Sequence, residues 1–372
     1  MTRWGVPVAA IAVVAAAIGA GPVIAAVQGE PTLPARTAQQ LLADAATASR
    51  SGMKPMSGTV IQTASLGLPG LPEISGMGGS SPAALLAGSH ELKVWYGGAD
   101  RLRLALPGKM SETDLIVNGD QVWLWRSEDN EATRINGVDP EAQDKHATAL
   151  PSATTPQQAA QQVLSRAATD TVVSVSNTER VADRPAYQLV LAPKDGASLV
   201  KEVKLALDGE TFVPLRVQVY AKSAAEPAFE VGFTSVTFTP PAAENFTFTP
   251  PAGAKVTERA ADEFSEQDRA RQERERALKG RAKVVGQGWT SVAVLPFSVK
   301  DLGANRSQDA DGPAGNANAL ADALLRSAKQ VSGPWGSGRV IQSKLLSALL
   351  TDDGRLLVGA VTPERLQEAA AS

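Results

Sequence analysis

Cysteine is absent from the 372 residues, and histidine occurs only at His90 and His146. The first absence excludes disulfides, thiolate nucleophiles, cysteine-ligated zinc and a lipidated N-terminal cysteine. The second leaves almost nothing for a histidine metal site or a histidine general base. An excess of positive charge is missing too. The chain carries 36 basic against 39 acidic side chains, a net charge of −3, so nothing argues for nucleic acid as a partner. Calcium loops of the DxDxDG type, HExxH zinc helices and GxSxG elbows do not occur. A Ser/His/Asp mechanism would have to use His90, at the start of a strand, or His146, in a polar loop. The sequence therefore assigns no catalytic residue, no metal and no cofactor, and the class it leaves is a non-enzymatic binding protein.

What is present begins with an uncharged run from Val6 to Val27 behind Arg3. A basic start, an apolar stretch and the small-residue exit Val23-Ile24-Ala25 form an export signal over residues 1–27, and the run is long enough to serve instead as an uncleaved membrane anchor. Both point to an exported, extracytoplasmic chain, secreted or held by its N-terminus. The remainder has length for two further units: residues 34–254, a charged linker or helix over 255–283, and a small α+β unit over 284–372.

Pro34 to Gly52 reads as a helix, with a Thr37/Gln40 capping box and Gly52 as its stop. Thr59–Ser65 follows as a strand. The Gly/Pro-rich stretch from Leu66 to Ser81 carries Leu66, Leu68, Leu71, Ile74 and Met77, too many large apolar groups for a solvated linker, and is expected to act as a flap. Beyond it the hydrophobic period is two, the strand signature. Leu92, Val94 and Tyr96 need an odd-length, bulged turn to face Leu102, Leu104 and Leu106. A two-residue turn around Gly119 puts Leu115 and Val117 on the face of Val122 and Leu124, with Ile116, Trp123 and Trp125 opposite. Thr155 and Pro156 open a mid-chain helix.

Strands then resume. Val203, Leu205 and Leu207 match Leu215, Val217 and Val219, again across an odd loop, and Phe229, Val231 and Phe233 follow. A parity flip before Val236 signals a bulge, and Phe246–Thr249 reads as a last strand. In the C-terminal unit we expect a helix near Asn318–Gln330, a hairpin joined by Asp352-Asp353-Gly354, and a helix opened by Thr362-Pro363. The tryptophans at 95, 123 and 125 share their face with Arg101 and Arg103, and packing beneath those arginines is favoured over a partner platform. The aliphatic residues of the other face form one continuous surface. Alternation alone leaves open whether it is a filled core or an acyl-chain cavity.

The segments Pro34–Leu42, Leu92–Tyr96, Arg101–Leu104, Asp114–Trp125, Arg184–Leu191 and Leu207–Arg216 resemble the lipoprotein carrier superfamily of LolA, LolB and the mycobacterial LppX type. The resemblance implies an α+β fold: a strongly curved antiparallel sheet, an open half-barrel with covering helices, that holds lipid or acylated lipoprotein in its concave face. The lipobox cysteine of anchored members is absent. Gly288-Trp289 and Asp353-Gly354 are similar to features of the second domain of RseB/MucB regulators. That likeness implies the other partner, a membrane anti-sigma factor or similar regulatory protein.

Overall fold

The computed structural model describes residues 33–67, 87–137, 169–261, 280–297 and 324–372. The N-terminal run, Leu68, Leu71, Ile74, Met77, His146 and the helix expected after Thr155 lie outside the described residues.

The first helix, α1 (Ala38–Arg50), begins as its residues dictate. Thr37 Oγ1 accepts from the Gln40 amide at 3.2 Å and Gln40 Oε1 accepts from the Thr37 amide at 2.8 Å, which satisfies two amides that a helix start leaves free. The strands β1 (Met56–Ser65), β2 (Ala87–Gly98), β3 (Arg101–Pro107), β4 (Glu112–Asn118), β5 (Gln121–Arg126) and β6 (Glu131–Asn136) make one half of a large sheet. The other half is β7 (Thr171–Val181), β8 (Arg184–Pro193), β9 (Val200–Asp208), β10 (Pro214–Ala221) and β11 (Pro227–Thr237), and β12 (Lys255–Ala260) closes the series. The 12 strands are ordered β12-β6-β5-β4-β3-β2-β1-β11-β10-β9-β8-β7 in a curved sheet that does not close into a barrel.

The register follows the turn chemistry. Tyr96 stands opposite Leu102 and Val94 opposite Leu104, with the extra residue taken up at Gly97. Asn118 pairs with Gln121 across a Gly119-Asp120 turn in which Gly119 has φ 63°. Leu205 faces Val217 as alternation requires, but the offset is a bulge at Leu215 rather than an odd loop. The flip expected before Val236 is a second bulge, at Thr234 opposite β1.

Two segments that follow β11 differ from expectation. Phe246–Thr249 is no strand: Ala243–Phe246 is a short 3-10 helix between the pairs Pro240-Pro241 and Pro250-Pro251, which lack the amides a ladder needs. Lys255–Ala260, expected in a linker or helix, is β12, and it runs parallel to β6 in an otherwise antiparallel sheet. Polar clips hold it there, Asn130 Nδ2 to the Gly253 carbonyl at 2.9 Å and Lys255 Nζ to Glu131 Oε1 at 3.3 Å, so it carries no apolar period to betray it.

A second sheet of 6 strands is ordered β13 (Lys283–Val285), β14 (Val292–Pro296), β18 (Arg355–Gly359), β17 (Ser347–Thr351), β16 (Gly336–Gln342) and β15 (Lys329–Gly333). The helix α2 (Pro363–Ala370) lays Leu366, Ala369 and Ala370 on Val292, Leu349 and Leu357. The helix expected to reach Gln330 gives way to β15 at Lys329.

Gly58 illustrates how tightly β1 meets β11. A Cβ there would collide with the Ser235 carbonyl oxygen and stand 2.9 Å from the Phe233 ring. We expect Gly58→Ala to destabilise the fold by about 1–3 kcal/mol, read as a lower urea midpoint at unchanged m-value.

Candidate functional site

Residues directly opposed in an antiparallel ladder share a face. Across β1 to β6 this rule lines up Met56, Tyr96, Leu102, Val117, Val122 and Ile135, and all of them are buried. They belong to one core with Val231, Phe233, Leu215 and Ala261. Ile135 and Met56 complete this row although sequence alternation left them off the face. The neighbouring row is different. Val94 is buried, yet Leu104, Leu115 and Leu124, opposed in turn across β3, β4 and β5, are only half-buried, as are Leu92 and Leu106. The expected apolar face is thus filled at one end and open along a strip of leucines at the other.

Its far part is covered. Leu205 and Leu207 lie under α1 with Leu41 and Tyr187, and Tyr187 Oη donates to the Pro34 carbonyl at 2.9 Å. Val203, Val219 and Phe229 pack against Leu345, Trp289 and Ala360 of the second sheet's unit, together with Leu66. Leu66, the one described member of the expected flap, is fixed there: its carbonyl accepts from the Lys344 amide at 2.7 Å, and Lys344 Nζ reaches Ser65 Oγ at 2.8 Å. Val217 is buried between Leu205 and Val231 in the ladder. Sequence periodicity missed Leu345 and Trp289 because Trp289 lies in the short 3-10 helix Gly288–Thr290 and Leu345 in the turn between β16 and β17.

The opposite face is closed by aromatic and charged packing. Arg103 lies over Trp95 at 5.4 Å and Arg134 over Trp123 at 5.7 Å, while the Phe248 ring sits 5.5 Å from Trp123 and 5.8 Å from Trp125. Trp95 and Trp123 thus pack under arginines, and Trp125 against Phe248. Arg103 Nη2 donates to Asp114 Oδ2 at 2.5 Å. Burial nevertheless pushes Asp114 up to about 6; Arg103 opposes the shift and the Glu112 carboxylate adds to it. Arg216, its stem laid along Gly232, donates from Nη2 to Glu179 Oε1 at 2.7 Å across the strands between them. At the β8–β9 end, Asp208 is wholly buried but accepts from Arg184 Nε at 2.5 Å and from the Thr211 amide at 2.7 Å. Those partners outweigh burial and hold its carboxyl below the usual range.

Among the described residues no group of three or more His, Cys, Asp or Glu could hold a metal ion, and no helix is long and apolar enough to cross a membrane. His90 stands half-buried in β2, opposite Gln62.

Residues 81–258 match the family described as predicted periplasmic protein, DUF2092. That description agrees with the export expected from the N-terminal run. Among solved structures, a chain of the MucA/MucB complex of Pseudomonas aeruginosa is similar at 15% identity and a TM-score of 0.40, over 90% of this chain and 97% of that one. A LolA superfamily protein from Nitrosomonas europaea is similar at 14% identity and a TM-score of 0.21, over 57% of this chain and 99% of that one. LprF from Mycobacterium bovis gives 11% identity and a TM-score of 0.26, over 60% and 99%. No curated protein matches the sequence.

Glu230 on β11 gives the site's surroundings a pH dependence. Burial pushes its carboxyl up to about 7 against the opposing charge of Arg216. A carboxyl whose folded pKa is raised contributes stability that is full below its unfolded value of about 4.3 and lost as pH rises through the folded one. Glu230→Gln should therefore leave the thermal midpoint unchanged at pH 3.5 and raise stability by about 2–3 kcal/mol at pH 8. Equal midpoints for both proteins at pH 8 would show that Glu230 is not held protonated.

Proposed function

We propose that this chain is an extracytoplasmic, non-enzymatic protein that carries or senses lipid or lipoprotein acyl chains on the open part of its apolar face. The half-buried strip of Leu92, Leu104, Leu106, Leu115 and Leu124, continuous with a filled core, is the observation that supports this reading. An apolar strip of this kind needs no catalytic group to bind. Each methylene it removes from water contributes about 0.8 kcal/mol, so about ten buried carbons match the ~8.2 kcal/mol of micromolar affinity. The family's description as periplasmic and the similarity to LolA superfamily proteins agree with it.

A second reading, a regulatory partner of a membrane protein, draws support from the second sheet's unit. That unit docks on the larger sheet through Leu345, Trp289 and Ala360, and the similar MucB is described in complex with MucA. Here the unit would capture a membrane anti-sigma factor or similar protein. Deleting residues 284–372 should then abolish capture while lipid binding persists.

Native mass spectrometry of the protein purified from its own envelope should detect co-bound lipid. The double variant Leu104→Gln/Leu124→Gln, altering half-exposed positions, should keep the fold and weaken lipid retention at least about tenfold. A wild-type protein that is consistently free of lipid, or a double variant that retains it fully, would overturn the proposal.

A further inference from the structure

Next to the row of Leu104, Leu115 and Leu124 runs an outer row that changes character along its length. Leu106 stands opposite Thr113, Thr113 opposite Arg126 and Arg126 opposite Glu131, whose parallel partner is Lys255. Arg126 follows Leu124 by two residues in β5, so it rises from the same face as the leucines. Two strand spacings, about 10 Å, separate it from Leu106. The open strip therefore has an apolar end and a charged end, the pattern that suits an acyl chain with a charged head.

The charged end is built to present a cation. Arg126 Nη2 donates to Glu131 Oε2 at 2.5 Å, while Lys255 Nζ and Thr257 Oγ1 reach Glu131 Oε1 at 3.3 and 3.4 Å. Those hydrogen bonds, the one from Arg126 foremost, hold the Glu131 carboxyl below its usual range. Glu131 thus stays ionised and keeps both cations in place. On its other edge Arg126 Nε meets Asp129 Oδ2 at 3.2 Å, in the β5–β6 turn. The two acids are unequal. Glu131 is 18% exposed and held by three donors, whereas Asp129 is 56% exposed and held by Arg126 alone among the described residues. An ion pair so exposed contributes little to stability, so another anion displaces Asp129 at small cost.

We propose that Arg126 is the receptor for the anionic head, carboxylate or phosphate, of an acyl lipid whose chain lies on Leu104, Leu106, Leu115 and Leu124. The inference rests on the acyl-binding reading and adds the chemical class of the head. In the free protein Asp129 holds the place of the ligand's anion. Arg126 suits the task because its planar fork gives one edge to Glu131 and keeps the other for an oxyanion. Lys255, 75% exposed, adds a second positive charge beside it.

Calorimetric titration of the whole chain at pH 8, with ligands below their micelle concentrations, tests this. The ligands share a saturated fourteen-carbon chain and differ in the head: tetradecanoic acid, the corresponding lysophosphatidic acid and the uncharged monoacylglycerol. Wild type should bind at least one anionic ligand at least about tenfold more tightly than the neutral one. Arg126→Gln should remove that preference and leave affinity for the neutral ligand within about twofold. Asp129→Asn, which removes the competing carboxylate from an exposed turn, should instead tighten the anionic ligand at least about threefold. Whichever anion loses more to Arg126→Gln is the head that the site takes. Opposite effects of the two substitutions are not what a merely structural ion pair produces, and Asp129→Asn decides the matter if Arg126→Gln fails to fold. Equal affinities of wild type for all three ligands, or no tightening in Asp129→Asn, would overturn the head-group site and leave the acyl site intact. Wild type that binds none of the three would remove the acyl-binding reading itself.

Discussion

Direct opposition across the β1–β6 ladder sets which side chains can meet, and the rest of the molecule is arranged around that constraint. Once Tyr96 is fixed opposite Leu102 by the extra residue at Gly97, Val117, Val122 and Ile135 must fall into the same row. A shift of one residue would turn that row outward and bury Arg103 and Trp123 instead. The bulges at Gly97, Thr234 and Leu215 are therefore the points that keep one apolar surface continuous through a strongly bent sheet.

The surface so formed is used in three ways. Its first row is core, its far part is the seat of α1 and of the second unit, and only the leucines of the adjacent row remain partly open. Apart from the ion pairs around Arg126, charge is kept on the other face, where long side chains bridge strands. Arg216 can reach Glu179 because Gly232 leaves room for its stem and Ala206, opposite it, offers no obstacle. The raised carboxyls of Asp114 and Glu230 mark where this packing leaves an acid short of water and of partners.

Much of this was legible in the sequence because it depends on local parity. The capping box at Thr37, the register of β2 to β5 and the bulge before Val236 all follow from residues close to one another in the chain. What was not legible depends on contacts between distant segments. Nothing local marks Lys255–Ala260 as a strand, since its ladder partner is β6 and its side chains face solvent. Phe246 looks like a strand residue until the hollow beside Gly97 and Arg101 is there to receive it. Alternation gave the candidate face as a whole. It could not divide Val203, Val219 and Phe229 from Leu104, Leu115 and Leu124, because the residue that packs on the former, Leu345, comes from a turn of the second unit.

The placement of β1 between β2 and β11 has a kinetic consequence. The runs β2 to β6 and β7 to β11 are each built from sequence-adjacent hairpins, which close short loops and form fast. Joining them requires Val60 to find Phe233, across most of the sheet's sequence, and loop-closure entropy is lost before that contact gives anything back. Until β1 and β11 zip together, each half-sheet exposes a bare edge and half of an apolar face. For an exported chain with no cysteine to trap partial structure, that central seam is the step at which correct assembly competes with aggregation.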